Sequence, residues 1–242
     1  MLGSELLLWR LQSILGFRGA GRSIQAQASA DGNTVSRATA GGRRNHTVPG
    51  GLPILESLRK RSREESTTPR SMVLAGWASA VGHQLGRQTV AFGIVAAGRH
   101  GIPEGVVGSC LNFHPCTVQT NAGLRIEEIS RTVQKEMAEA VAYEGCPLDA
   151  IQRVVTGGQP LFNSVVNYRK FDNVAQTARR SVEFKTESIR DLWAYAYFLG
   201  VEEVEDRLQV DFQWYEGRVD EACALRLLDL FIDSLGKLAR QS

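Results

Sequence analysis

The chain has 242 residues, 43% of them hydrophobic and 22% charged, with a formal net charge of +2. That length holds one large domain or two small ones, and the composition is ordinary for a globular protein. The nearly balanced charge argues against nucleic acid or an anionic membrane surface as a partner, and no apolar run reaches the roughly 20 residues that cross a bilayer.

Met1–Ala30 carries Arg10, Arg18 and Arg22 against a single acidic residue, Glu5, and is rich in Ser, Ala and Gly. An organellar transit peptide has that composition. The simpler reading is a short helix over Glu5–Leu15 followed by a flexible crossing, and a cytoplasmic protein. Gly16–Gly51 has few large apolar residues and reads as loop. The basic block Arg43-Arg44-Asn45-His46 reads as part of that solvated loop. The expected division is residues 1–51 as N-terminal helix and crossing segment, and residues 52–242 as the folded lobe.

Leu52, Ile54, Leu55 and Leu58 have helical spacing, which predicts a helix over Leu52–Arg63. Thr68 followed by Pro69 is a helix start, a threonine cap with proline at the first helical position. Val73, Leu74, Trp77, Ala78, Val81 and Leu85 then form one apolar stripe, and Gly86 ends the helix. Thr89–Val95 and Val107–Val118 read as strands, Leu124–Tyr143 as a helix, and Phe162–Tyr168 as a strand. Over Arg207–Trp214 the apolar residues Leu208, Val210, Phe212 and Trp214 alternate with polar ones, which predicts a strand with one buried face. Val219–Ala239 closes the chain as an amphipathic helix. Strands and helices alternate without a repeat, so the fold class is α/β in layers.

The richest stretch chemically is Thr89–Val118. It contains Phe92-Gly93, Gly98-Arg99, Ile102-Pro103-Glu104-Gly105, Val107-Gly108 and Leu111-Asn112-x-x-Pro115 in that order. Tyr143 with Pro147-Leu148 follows, and then Pro160-Leu161-Phe162-Asn163. This ordered series, with the Thr-Pro helix before it and Leu8-Trp9-Arg10-Leu11 near the start, resembles the C-terminal half of a condensation domain of nonribosomal peptide synthetases. The resemblance is firm over Thr67–Tyr168 and weaker toward both ends. It implies a lobe of the CoA-dependent, chloramphenicol-acetyltransferase-like acyltransferase fold, a mixed sheet covered by helices. The sequence departs from the family at Phe113 and His114, where Thr and an aliphatic residue are usual, and at Gly145-Cys146. Those changes imply an altered tunnel or relaxed constraint.

The resemblance also implies chemistry. Active members join an acyl thioester to an amine, with the second histidine of His-His-x-x-x-Asp-Gly acting on the amine. The four histidines here, His46, His83, His100 and His114, are all isolated from one another. His100-Gly101-Ile102-Pro103-Glu104-Gly105 mimics half the motif, but it falls in a turn where the family has no catalytic group. No catalytic residue is therefore assigned. Asn112 and His114 lie on the strand that borders the family's tunnel between two lobes. Two roles are open to Asn112: binding the substrate, or satisfying backbone groups at a strand irregularity. Arg99 fixes its turn through a carboxylate or reaches the phosphate of a phosphopantetheine arm, the first being favoured. Gly93 and Gly98 serve backbone geometry or close packing.

Alternation along the strand sets Cys110, His114 and Cys116 on one face, but their spacing fits no common zinc site. The four cysteines, Cys110, Cys116, Cys146 and Cys223, form no CxxC pair and read as reduced thiols. Gly108-Ser109-Cys110 is not a nucleophile elbow, and neither a P-loop nor a dinucleotide fingerprint occurs. The implied partners are a peptidyl carrier protein bearing the phosphopantetheine arm and a complementary N-terminal lobe or adjacent synthetase domains, with no cofactor held directly. Two other readings stay open. One is a non-catalytic remnant or interaction module. The other is a coenzyme A acyltransferase, against which Ala91-Phe92-Gly93-Ile94-Val95 lacks the Asp and Trp-Gly of the plant-type motif. An isolated half is expected to expose an apolar patch where its partner would lie.

Overall fold

A computed structural model describes residues 43–96, 105–106, 111–121, 123–143, 145–170 and 195–240. In chain order the elements are β1 (Arg43–Thr47), α1 (Leu55–Glu64), α2 (Pro69–Leu85), β2 (Thr89–Ala96), β3 (Asn112–Gln119), α3 (Ile126–Ala140), a 3-10 turn (Val141–Tyr143), α4 (Leu148–Thr156), β4 (Ser164–Lys170), β5 (Tyr197–Val204), β6 (Arg207–Tyr215) and α5 (Glu221–Arg240). The strands form one sheet in the order β1-β6-β5-β4-β2-β3. The pairs β2–β4 and β4–β5 are parallel, while β1–β6, β5–β6 and β2–β3 are antiparallel.

Helix α2 is the centre of the helical layer. Thr68 caps it, its Oγ1 accepting the Ser71 N–H at 3.1 Å, with Pro69 at the first position. Gly86 ends it in the left-handed conformation at φ 58°. Both signals were legible in the sequence. Its burial was not, because the helix buries far more than one stripe: eleven residues between Ser71 and Gly82 are buried. Small side chains let α3, α5 and the sheet approach on several sides. A Cβ on Gly76 would come within 2.9 Å of Leu235 Cδ2 on α5. The Trp77 indole lies against Phe212 and Phe231 at 5.9 and 6.0 Å between ring centres, and its Nε1 donates to Ser164 Oγ.

On this side of the sheet Phe92, Val166, Leu199, Val210 and Phe212 meet Leu55, Leu58, Val133, Leu228 and Phe231 in the main core. A smaller cluster of Val95, Ile151, Val155, Leu161, Phe162 and Val165 lies on the opposite face, under α4. The sheet is therefore layered on both sides at its β3–β2–β4 half. At its other half the second face carries Asn45, Thr47, Asp211 and Gln213, all outside the core.

Two expectations for the N-terminal part change. Arg43-Arg44-Asn45-His46 is strand β1, not a solvated loop, and ordered structure begins ahead of Leu52. The sequence hid this because β1 is an edge strand with no buried side chain, so it carries no apolar alternation. Helix α4 and strand β5 add two elements to those the sequence predicts. The helix expected at Glu5–Leu15 lies outside the described residues.

Candidate functional site

Parallel strands β2, β4 and β5 end on one side of the sheet, and β3 begins there with Asn112 opposite Ala96. Ligands of α/β sheets gather at such carboxyl ends. Helix α2 runs back along the sheet into β2, so its amino end, with Thr68 and Arg70, lies on the same side.

Asn112 bonds backbone groups. Its Oδ1 accepts the Phe113 N–H at 2.8 Å, and its Nδ2 donates to the Cys146 carbonyl at 3.3 Å. The side chain thus pins the entry of β3 to the segment before α4. It is half-buried at the mouth of the sheet.

His114 pairs with Ile94 across the strand and faces the helical layer with Cys116. The two help line a niche of about 70 Å³ with Arg70, Ile94, Glu136 and Met137. That space is far below the few hundred cubic ångströms of a drug-sized ligand site. Arg70 Nη2 donates to the Val95 carbonyl at 3.1 Å, which ties the start of α2 to the end of β2. The Cys116 thiol is wholly buried, and burial, with the nearby Glu136 carboxylate, pushes its pKa well up. A thiol held neutral in this way is inert as a nucleophile.

On β4 and β5 a second polar group completes this end of the sheet. Tyr168 Oη donates to Glu203 at 2.5 Å, and Arg59 Nη2 on α1 lies 2.8 Å from the other carboxylate oxygen. Burial works to raise the Glu203 pKa, but the hydrogen bonds from Tyr168 and Arg59 outweigh it and hold the carboxyl below its ordinary value. Burial and the same carboxylate push the Tyr168 hydroxyl well up. The group is a closed ion pair rather than a poised acid or base.

The structure brings Asn112 and His114 to one strand end. Arg99, Gly98, His100 and Cys110 lie outside the described residues. His46 is on β1 and His83 in the last turn of α2, each on a different element from His114. Gly93 is the close approach that the sequence suggested: a Cβ there would drive into the Phe162 ring. Among the described residues no three His, Cys, Asp or Glu side chains are grouped so as to hold a metal ion. No helix among them is long and apolar enough to cross a membrane. Sequence reasoning missed Arg70, Glu136, Glu203 and Arg59. The one available signal was Arg70, a charged residue directly after the Thr-Pro start of an otherwise apolar helix.

The family model "Condensation domain" matches residues 34–242. The "FR901469 synthetase" of Dothideomycetidae sp. (strain 11243) is 29% identical over 202 residues, which covers 81% of this chain and 1% of that protein. Among solved structures, the condensation domain of the Monacolin K polyketide synthase MokA superposes with a TM-score of 0.67 at 15% identity, covering 95% of this chain and 59% of that one. The domain described for condensation-mediated chain release from the enacyloxin polyketide synthase superposes at 0.66 with 13% identity, covering 96% and 48%. These likenesses establish the fold, a chloramphenicol-acetyltransferase-like lobe. The chain spans about half the length of these solved domains.

Proposed function

The chain belongs to the condensation-domain family, and on that footing we propose that it is the C-terminal lobe of a domain that forms amide bonds between carrier-bound substrates. The observation that carries this reading is the match of residues 34–242 to the family, combined with coverage of only about half of the solved domains. In the proposed reaction the acceptor amine attacks the thioester carbonyl carbon. A carbon–nitrogen bond forms, the carbon–sulfur bond breaks, and the thiol leaves with the proton the amine gives up. Carrier proteins deliver both substrates on phosphopantetheine arms, in the cytoplasm.

This lobe supplies a wall. In this reading Asn112 and His114, at the carboxyl end of the sheet, are the residues assigned to border the substrate path, and Arg99 serves its turn or the arm's phosphate. The base belongs to the complementary lobe, because the string His-His-x-x-x-Asp-Gly does not occur in these 242 residues.

The test is a condensation assay with an aminoacyl and an acyl carrier protein. The purified chain is supplied alone, and then with an N-terminal lobe carrying His-His-x-x-x-Asp-Gly. Amide product that needs both lobes, and that falls about tenfold with Asn112→Ala, supports the reading. Product from the chain alone overturns the assignment of the base. Tight binding of the second lobe with no product favours a non-catalytic interaction module.

A further inference from the structure

Strand β1 is held unlike any other strand of the sheet. None of its five side chains is buried. It pairs with β6 from Arg43 opposite Tyr215 to Thr47 opposite Asp211. Its side-chain ties are peripheral: Arg44 pairs with Glu216, Thr47 Oγ1 lies 3.1 Å from Asp211 Oδ1, and the Arg43 guanidinium sits 5.9 Å from the centre of the Tyr215 ring. A tight turn follows, with the Gly51 N–H on the Val48 carbonyl at 3.1 Å and Gly50 at φ 69°. Past the turn the chain is fixed firmly. Leu52 and Leu208 exchange two backbone hydrogen bonds at 2.8 and 3.0 Å, and Leu55 and Leu58 are completely buried.

Releasing β1 therefore uncovers no core side chain of its own, while the released residues recover backbone entropy. We propose that β1 is a strap that opens from β6 as a unit at the Val48–Gly51 turn while the rest of the lobe stays folded.

N–H groups of an antiparallel strand alternate sides. The Tyr215 N–H goes to Ala196 on the β5 side, and the Leu208 N–H goes to Leu52 on the β1 side. By that alternation the amides of Asp211 and Gln213 serve β5, and those of Phe212 and Trp214 serve β1. Phe212 and Trp214 have core side chains. Were unfolding of the whole lobe the route to exchange, their amides would be as protected as their neighbours.

Native-state hydrogen exchange on the full chain tests this. The amides of Arg44, His46, Phe212 and Trp214 are expected to exchange together, about 100-fold faster than those of Asp211 and Gln213, with little dependence on denaturant. Exchange of all four at the rate of Asp211 and Gln213 overturns the proposal. A second arm uses the double variant Asn45→Cys with Gln213→Cys, at a pair that does not exchange backbone hydrogen bonds and whose close spacing suits a disulfide. Oxidation is expected to slow Phe212 and Trp214 at least about tenfold, and reduction to restore the rate. An unchanged rate, with the bond verified by mass, also overturns it.

Discussion

Gly93 shows how one atom sets the local packing. It stands on β2 opposite Pro115, and the Phe162 ring fills the space where its side chain would be. Phe162 is completely buried and stacks on Tyr195 at 5.2 Å, so the ring has nowhere to retreat. Gly93→Ala is expected to destabilise the lobe by about 1–3 kcal/mol, the usual range for overpacking. A urea melt would show a lower midpoint with an unchanged slope, and Phe162→Leu in the same chain should recover part of the loss. If Gly93→Ala melts at the parent midpoint, the close approach is not real. Tyr168 offers the contrasting case of a polar contact. Tyr168→Phe keeps the ring and removes only the hydroxyl bonded to Glu203. It is expected to cost about 1–2 kcal/mol, because the lost partner served a largely buried carboxylate. A midpoint no lower than the parent's would contradict that value.

At the scale of elements, what the sequence revealed followed from whether an element's signal was local. The Thr68-Pro69 start and Gly86 end of α2 are chemical facts about single residues, and both held. Strand β6 held because its alternation of Leu208, Val210, Phe212 and Trp214 reports one buried face directly. β5 was missed because Tyr197–Val204 mixes Gly200 and two glutamates into its pattern. Glu203 points into the helical layer and is acceptable there only because Arg59 and Tyr168, 144 and 35 residues away in the chain, meet it. β1 was missed because it buries nothing. The site was partly legible in the same sense. Asn112 and His114 could be placed on a strand, but Arg70 and Glu136 reach that niche only through the packing of α2 and α3. The cap of α2 gives an element-scale prediction. Thr68→Ala removes the acceptor for the Ser71 N–H and is expected to cost about 1 kcal/mol, whereas Thr68→Ser should retain most of it. Equal melting of the Ala and Ser variants, both at the parent midpoint, would show that the cap contributes nothing.

For the whole molecule, the short helix α1 fastens the helical layer at two places. Arg61 reaches Glu127 on α3 at 2.8 Å, and Arg59 reaches Glu203 on β5 at 2.8 Å. A ten-residue helix is marginal by itself, so these pairs and the burial of Leu55 and Leu58 keep it in place. Glu127 behaves as Glu203 does: burial works to raise its pKa, but the hydrogen bond and charge of Arg61 prevail and hold it below the ordinary value. The unfolded carboxyls titrate near about 4.3. A folded pKa beneath that value means the unfolded chain binds protons first as pH falls. The stabilisation is then complete above that range and is lost as pH drops through the folded values. Tyr168 sets the opposite limit. Its folded pKa is raised, so its contribution is complete below about 10 and declines as pH climbs toward the folded value. Stability should therefore be level from about pH 6 to 9 and fall on both sides. The acid limb should be the one tied to α1. Glu203→Gln combined with Glu127→Gln is expected to lower the neutral-pH midpoint, because Arg59 and Arg61 lose their nearest and most buried counter-charges, and to flatten the decline between about pH 5 and 3. Urea midpoints measured across that range for parent and double variant decide the point. An acid limb of the same steepness in both would place the proton-linked weakness elsewhere than the two pairs that hold α1.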